Sequence, residues 1–267
     1  GVSSAASDVY KRQAMGQAYA DSIPMLVISS VNERARLGRG NGYLHELPDQ
    51  RALVAGVADF SHTLMSVDEL PEVLARAFAV FDGQRPRPVH IELPLDVITA
   101  AAEHLKVQPR LIASRPAPQA ALIQQAVQRL RQAQRPLLLI GGGCVAQPEA
   151  VRRLAETLDA PTALTINAKG LLPAAHPLLI GSNQSLPPVR RLALDADLVL
   201  AIGTELGETD YDVVFDGNFR LGGELIRIDI DAAQLQRNQQ PVLAIHSDAG
   251  LAIEALLEQL PQRICAG

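Results

Sequence analysis

Apolar positions fall along this chain in two rhythms. Short runs, continuous in Met25–Ile28, Leu137–Ile140 and Leu198–Ile202 and broken only by Arg227 in Leu225–Ile228, have the length and aliphatic content of buried strands. Between them lie stretches in which apolar residues recur every three or four positions. In "SVDELPEVLARAFAVFDG", Leu70, Val73, Leu74, Ala77 and Phe78 share one face of a helix. Ser66 predicts its N-cap, Glu69 a capping box, and Gly83 its stop. In chain order the pattern predicts a helix end at "AMGQAYADS", a strand at "IPMLVISS" buried on both faces, and a glycine loop at 38–50. A helix and short strand follow in "QRALVAGVADFSHTLM", then the helix just described and a buried strand "RPVHIELPL" ended by Pro94.

After residue 120 the alternation is regular. Helices are predicted at "ALIQQAVQRLRQA", "PEAVRRLAETLDA", "PPVRRLALDA" and "AGLAIEALLEQLP". Strands are predicted at "RPLLLIGGG", "PTALTI", "DLVLAIG", "GELIRIDID" and "PVLAIHSD". Strands alternating with helices of this length mean an α/β fold with a parallel sheet covered on both faces.

Two segments break the pattern. Residues 1–13, "GVSSAASDVYKRQ", are small and polar without clear periodicity, and are read as non-native or disordered. Residues 99–117 include the Pro- and Ala-rich "ASRPAP" and read as a surface linker. The chain then divides into a first unit at 14–98 and a second α/β domain at 118–262.

Composition narrows the class. With 48% hydrophobic and 20% charged residues the chain is globular, and 3% aromatics with no Trp means an aliphatic core. A net charge of −5 without a basic run argues against nucleic acid as a partner. No apolar stretch is long enough to span a membrane. Cys144 and Cys265 match no metal spacing, so reduced thiols and a cytoplasmic location are expected.

The chemistry-bearing residues lie at loops. "GGGCVA", Gly141–Ala146, directly follows a strand, where Gly141, Gly142 and Gly143 would let backbone N–H groups approach a phosphate. A dinucleotide site of the common kind would want an acid after the next strand, but Asn167 stands there, with Lys169 beyond. A tight turn that only reverses the chain explains the glycines equally well. Gly203, Thr204 and Asp229 end two further strands and could line the same crevice. In the first unit, "GRGNGYLHELPDQ" sets His45 and Glu46 behind three glycines and before Pro48. His45 is a candidate proton shuttle. The plainer alternative makes His45 a loop hydrogen-bonder and Glu46 a cap.

Several phrases, in order, resemble thiamine diphosphate-dependent enzymes of the acetolactate synthase type: "AYADSIPMLVIS", "DELPEVLARAF", "GQRPRPVHIELPLDV", "LIGGG", "NAKGLLPAAHPLLIG", "DADLVLAIGTEL" and "IRIDIDAAQL". The likeness covers about residues 14–260. It implies the later part of a pyrimidine-binding domain at 14–98, followed by a Rossmann-like central domain. It also implies a homo-oligomer whose thiamine diphosphate and Mg2+ are held largely by parts of the family's fold not found here, among them the strand with the activating glutamate. On that basis the chain alone is expected to be inactive. Several family members hold FAD in the central domain. The stretch "GTELGETDYD" lacks the Arg that helps to hold the flavin there, a departure that argues against FAD, while the glycine turn keeps an adenine nucleotide open.

The resemblance also places the opening loop. A Phe-Gln-Glu triplet beside the reacting carbon corresponds to Leu44, His45 and Glu46. A Pro-Lys-Asp triplet on the substrate side corresponds to Pro94, Leu95 and Asp96, and a Lys-His pair to Ser61 and His62. The wording "YLHELP" and "FSHTL" resembles the decarboxylases of 5-guanidino-2-oxopentanoate, the 2-oxo acid of arginine. Such a substrate needs a carboxylate for its cationic end, and Glu46 and Asp49 are the nearest in sequence. Leu44, Asp49 and Leu95 are thus expected to bind substrate, and His45 and Glu46 to act on it. An acetolactate synthase-like carboligase and a nucleotide-binding fragment are the alternatives.

Overall fold

A computed structural model of the chain describes residues 5–106, 114–211 and 219–261, with side chains from residue 12 onward. It resolves into two units, residues 1–114 and 115–267, and the boundary falls inside the segment read as a linker.

The first unit contains α1 (Ala5–Ala20), β1 (Met25–Val31), α2 (Gln50–Ala55), β2 (Phe60–Thr63), α3 (Leu70–Gly83), β3 (Pro88–Pro94) and the single turn α4 (Leu95–Ile98). The strands form a parallel sheet in the order β1-β3-β2. Strand β3 is central, and its alternation divides the unit. Val89 and Ile91 pack with Phe60, Leu64 and with Val73, Ala77 and Val80 of α3. His90 and Glu92 fall on the opposite face by the two-residue period of a strand.

Three local expectations differ from what is observed. The run Met25–Ile28 is not buried on both faces, because β1 is an edge strand among the described residues and Ile28 is 52% exposed. Residues 5–13, set aside as patternless, are helical and continuous with 14–20. They contain no Pro or Gly to break a helix, so weak periodicity did not mean no helix. Ser66 caps a 3-10 turn over Val67–Glu69, accepting the Asp68 N–H. Glu69 accepts the Met65 N–H at 3.2 Å instead of closing a capping box, and α3 begins after this turn with Pro71 in its first positions.

The second unit runs α5 (Ala120–Gln132), β4 (Pro136–Ile140), α6 (Pro148–Leu158), β5 (Thr162–Leu164), β6 (Leu179–Gly181), α7 (Pro187–Asp195), β7 (Leu198–Ile202), α8 (Glu208–Tyr211), β8 (Glu224–Asp229), β9 (Leu243–His246) and α9 (Ala249–Leu257). Its six described strands are parallel, in the order β6-β5-β4-β7-β8-β9. Strands β4 and β7 are adjacent and the chain winds outward from them in both directions, so the switch point of the sheet lies between their C-terminal ends. Leu138, Ile140, Leu200 and Ile202 pack under α5, α6 and α9. Leu137, Leu139, Val199 and Ala201 pack on the other face with Ala193 of α7, Tyr211 and Phe219. Residues buried on both faces explain why these strands read as continuous apolar runs. The three-residue β6 overlaps the short apolar run 178–180, which is below the usual length of a strand and is not predicted as one.

Candidate functional site

The candidate residues of the first unit gather at the C-terminal ends of its strands. Val31 of β1 pairs with Pro94 of β3, and the loops leave from there. Asn32 Nδ2 donates to the Leu44 carbonyl at 3.4 Å, which ties the glycine loop to the end of β1. Two residues on, Arg34 donates its N–H and its Nε to the Asp96 carboxylate at 3.0 and 2.7 Å, and its Nη1 to the Met65 carbonyl at 2.7 Å. The Arg34 backbone and guanidinium hold the Asp96 carboxyl below the usual carboxylate range. Leu95, beside Asp96, opens α4 half-exposed.

The glycine loop has a defined shape. Gly38, Gly40 and Gly42 have φ of 64°, 69° and 72°. The Glu46 N–H donates to the Tyr43 carbonyl at 2.9 Å and closes a four-residue turn. His45 stands third in it with φ of 55°, a left-handed conformation that costs a non-glycine residue about 1 kcal/mol or more. Glycine would be the cheaper residue at that position, so a side chain there points to use rather than to backbone convenience. His45 is exposed, and Leu44 beside it is 81% exposed.

The two carboxylates expected to meet a substrate are both engaged within the protein. Glu46 Oε1 accepts the Gly40 N–H at 2.7 Å and Oε2 the Tyr43 N–H at 3.0 Å. Partial burial opposes ionisation of Glu46, but the N–H groups of Gly40, Tyr43, Gly42 and Asn41 outweigh it and keep the pKa below its ordinary value. Asp49 is the N-cap of α2 and accepts the Ala52 N–H at 2.8 Å. Sequence spacing set these two residues in one loop; only the fold shows what their oxygens bind.

Beneath the loop lies a buried polar network absent from the sequence reading. His90, 1% exposed, has Nε2 at 2.7 Å from Ser29 Oγ and Nδ1 at 2.7 Å from Ser61 Oγ. Glu92 accepts from Thr63 Oγ1 at 2.5 Å and from Gln50 Nε2 at 3.2 Å. Gln50 Nε2 also reaches Ser29 Oγ and the Ser30 carbonyl. Gln50 is the last residue of the loop and the first of α2, so its amide pins the far end of the loop to β1 and β3. The signal was present in "PVHIELP": a His and a Glu two apart in an apolar strand must share one face. Ser61 belongs to this network, whereas its neighbour His62 faces the other way, toward Glu69 at 3.1 Å.

In the second unit the strand ends at the switch point meet closely. The Gly141 N–H donates to the Ile202 carbonyl at 2.9 Å and the Gly143 N–H to the Gly203 carbonyl at 3.0 Å. The N–H groups of Cys144 and Val145 turn back to Gly141 and Gly142. A Cβ on Gly141 would lie 2.1 Å from the Gly203 oxygen, and one on Gly143 would lie 2.8 Å from Gly203 Cα. These glycines therefore let two backbone turns touch, and four N–H groups of the turn are spent inside the protein. The Thr204 hydroxyl is 3.0 Å from Tyr211 Oη, and the Asp229 carboxylate accepts the Asp231 N–H at 2.9 Å. Asn167 and Lys169 are exposed around a 3-10 turn after β5, with Asn167 against Gly142.

Behind this edge, the fully buried Arg227 of β8 donates to the carbonyls of Thr204 and Glu205 on one side and of Arg237 and Gln239 on the other. Desolvation lowers its pKa, while Asp229 and Tyr211 act the other way. Among the described residues no group of three or more His, Cys, Asp or Glu side chains is placed to hold a metal ion. Nor is any described helix long and apolar enough to cross a membrane.

Comparison with known proteins agrees with this architecture. Residues 123–256, about half of the chain, match the family described as thiamine pyrophosphate enzyme, central domain. The chain is 46% identical over 252 residues to "Probable 2-ketoarginine decarboxylase AruI" of Pseudomonas aeruginosa, covering 93% of this chain and 44% of that protein. It is 31% identical over 251 residues to the acetolactate synthase isozyme 1 large subunit of Escherichia coli, covering 92% of this chain and 43% of that protein. The chain thus spans less than half the length of these relatives. Its fold is similar to that of benzoylformate decarboxylase from Polynucleobacter necessarius, with a TM-score of 0.81, 22% identity, and coverage of 98% of this chain and 49% of that one. With the matching segment lying wholly in the second, six-stranded unit, the chain belongs to the thiamine pyrophosphate enzyme family and carries its central domain.

Proposed function

We propose that the chain is part of a thiamine diphosphate-dependent decarboxylase of a 2-oxo acid, with 5-guanidino-2-oxopentanoate as the substrate. The observation that carries the reading is the 38–50 loop, which presents His45 outward in a conformation that glycine would adopt more cheaply. The 46% identity to the relative named as a 2-ketoarginine decarboxylase supports the same substrate class. Leu44 and Leu95 are exposed in the first unit, and by the resemblance they correspond to a Phe and a Lys of the acetolactate synthases, which supports a decarboxylase over a carboligase.

Thiamine diphosphate and Mg2+, bound in the complete enzyme, would supply an electron sink for the departing carboxyl group. The chain's own part in this reading is the substrate side. His45 moves a proton there near neutral pH. Leu44 and Leu95 line the aliphatic portion of the substrate and exclude water. The second unit serves as a structural central domain without FAD, and the working enzyme is a homo-oligomer.

The test is carbon dioxide release from 5-guanidino-2-oxopentanoate by an enzyme that contains this chain together with the cofactor-binding parts, supplied with thiamine diphosphate and Mg2+. His45→Ala should lower turnover on the order of 10²-fold or more, the range of a positioned acid–base group. Efficient formation of acetolactate from pyruvate, with no release from the guanidino acid, would overturn the reading.

A further inference from the structure

The glycine loop is held in shape by a carboxylate of its own. Glu46 Oε1 and Oε2 accept the N–H groups of Gly40 and Tyr43 at 2.7 and 3.0 Å, and the Glu46 N–H closes the turn onto Tyr43 at 2.9 Å. Every second residue from Gly38 to Gly42 has positive φ, and a Cβ on Gly40 or Gly42 would meet nothing within 4 Å. These two glycines therefore shape the backbone and do not make room for a neighbour. Backbone of this kind turns successive N–H groups toward one point and makes a concave anion site. The anion occupying it is Glu46. The Arg36 guanidinium stacks on the Tyr43 ring at 5.0 Å and does not compete for the carboxylate.

We propose that Glu46 is a positioning residue, whose carboxylate latches the 40–46 backbone so that His45 is held in its strained, outward conformation, and that Glu46 does not contact the substrate. The proposal rests on the reading of His45 given above. It departs from the plain chemical expectation that a carboxylate beside His45 pairs with a cationic substrate. Two N–H groups need two acceptor oxygens, and the Glu46 carboxylate offers both. A glutamine offers one acceptor and turns an amide donor against the second N–H.

The first measurement is amide hydrogen exchange of the chain without substrate. In Glu46→Gln, exchange at Gly40 and Tyr43 should accelerate on the order of tenfold, the loss of one charge-assisted bond, while β3 keeps its protection. Glu46→Asp, one methylene short, should give the same pattern. The second measurement is kinetic, in the complete enzyme. Glu46→Gln should lower kcat by the same factor for the guanidino 2-oxo acid and for an uncharged 2-oxo acid of equal length, with KM little changed. Unchanged exchange at Gly40 and Tyr43 in both variants would overturn the latch. So would a loss confined to the guanidino substrate and expressed in KM. Loss of β3 protection along with the loop would also overturn it, because Glu46 would then be holding the unit and not the turn. If the parent enzyme turns over neither substrate, the functional reading fails while the exchange data still decide the latch.

Discussion

Replacing Gly203 by Ala tests why the second unit carries its glycine turn. Gly203 has φ of 59°, and an added Cβ would lie 2.8 Å from Gly143 Cα and 3.1 Å from both its C and its N. All three contacts are backbone, so no side chain can swing away. The left-handed conformation costs alanine about 1 kcal/mol, and forcing the two turns apart in a packed region costs about 1–3 kcal/mol more. Their sum, about 2–4 kcal/mol, should lower the melting temperature of a domain this size by roughly 5–15 °C. Gly170→Ala is the control, since Gly170 has φ of 99° and nothing within 4 Å of its would-be Cβ. It carries the conformational cost without the collision. Urea denaturation of the two variants beside the parent, with no nucleotide added, separates the terms. If the glycines only cleared room for a ligand, the unliganded domain would tolerate Gly203→Ala. A variant within about 0.5 kcal/mol of the parent, or no worse than Gly170→Ala, would refute the close contact of the two turns.

Arg227→Met should destabilise the second unit by about 2–4 kcal/mol, because the carbonyls of Thr204, Arg237 and Gln239 lose the guanidinium donor, while that of Glu205 keeps the amides of Gln234 and Asn238, and the volume is nearly kept. Denaturation to the parent midpoint would show that water replaces the guanidinium without cost. In the first unit, Arg34 depresses the Asp96 pKa, so this contact contributes stability above the ordinary Asp pKa and loses it as pH falls through the lowered folded value. Carboxyl NMR titration should place Asp96 below the ordinary range, and Arg34→Ala, which removes the guanidinium but keeps the backbone N–H at position 34, should raise it only part of the way back; an unshifted Asp96 in the parent would count against the contact.

The sequence determined the alternation of strand and helix by itself. Strands such as Leu137–Ile140 and Leu198–Ile202 are covered on both faces, so each residue in them had to be apolar, and local pattern was enough. Residues 99–117 read as a linker because they follow neither period, and the boundary between the two units falls among them. The glycines of 38–42 announced a loop because positive φ has few other tenants. What failed to show was whatever depends on neighbours distant in the chain. Met25–Ile28 read as a buried strand because apolar runs do not reveal that a strand sits at a sheet edge. Gly141 and Gly143 fitted a phosphate cradle and a tight turn equally well until β7 brought Gly203 against them. Glu46 and Asp49 were chosen as substrate partners by proximity, yet each finds its N–H donors within a few residues, and which local bond a carboxylate makes depends on backbone angles that composition does not encode. The Ser29–His90–Ser61 contact joins residues from three strands, 61 and 29 positions apart, and only parallel pairing in register puts their side chains on one face. Pattern in a sequence records how each residue meets water or the core; tertiary structure alone decides which polar groups meet each other.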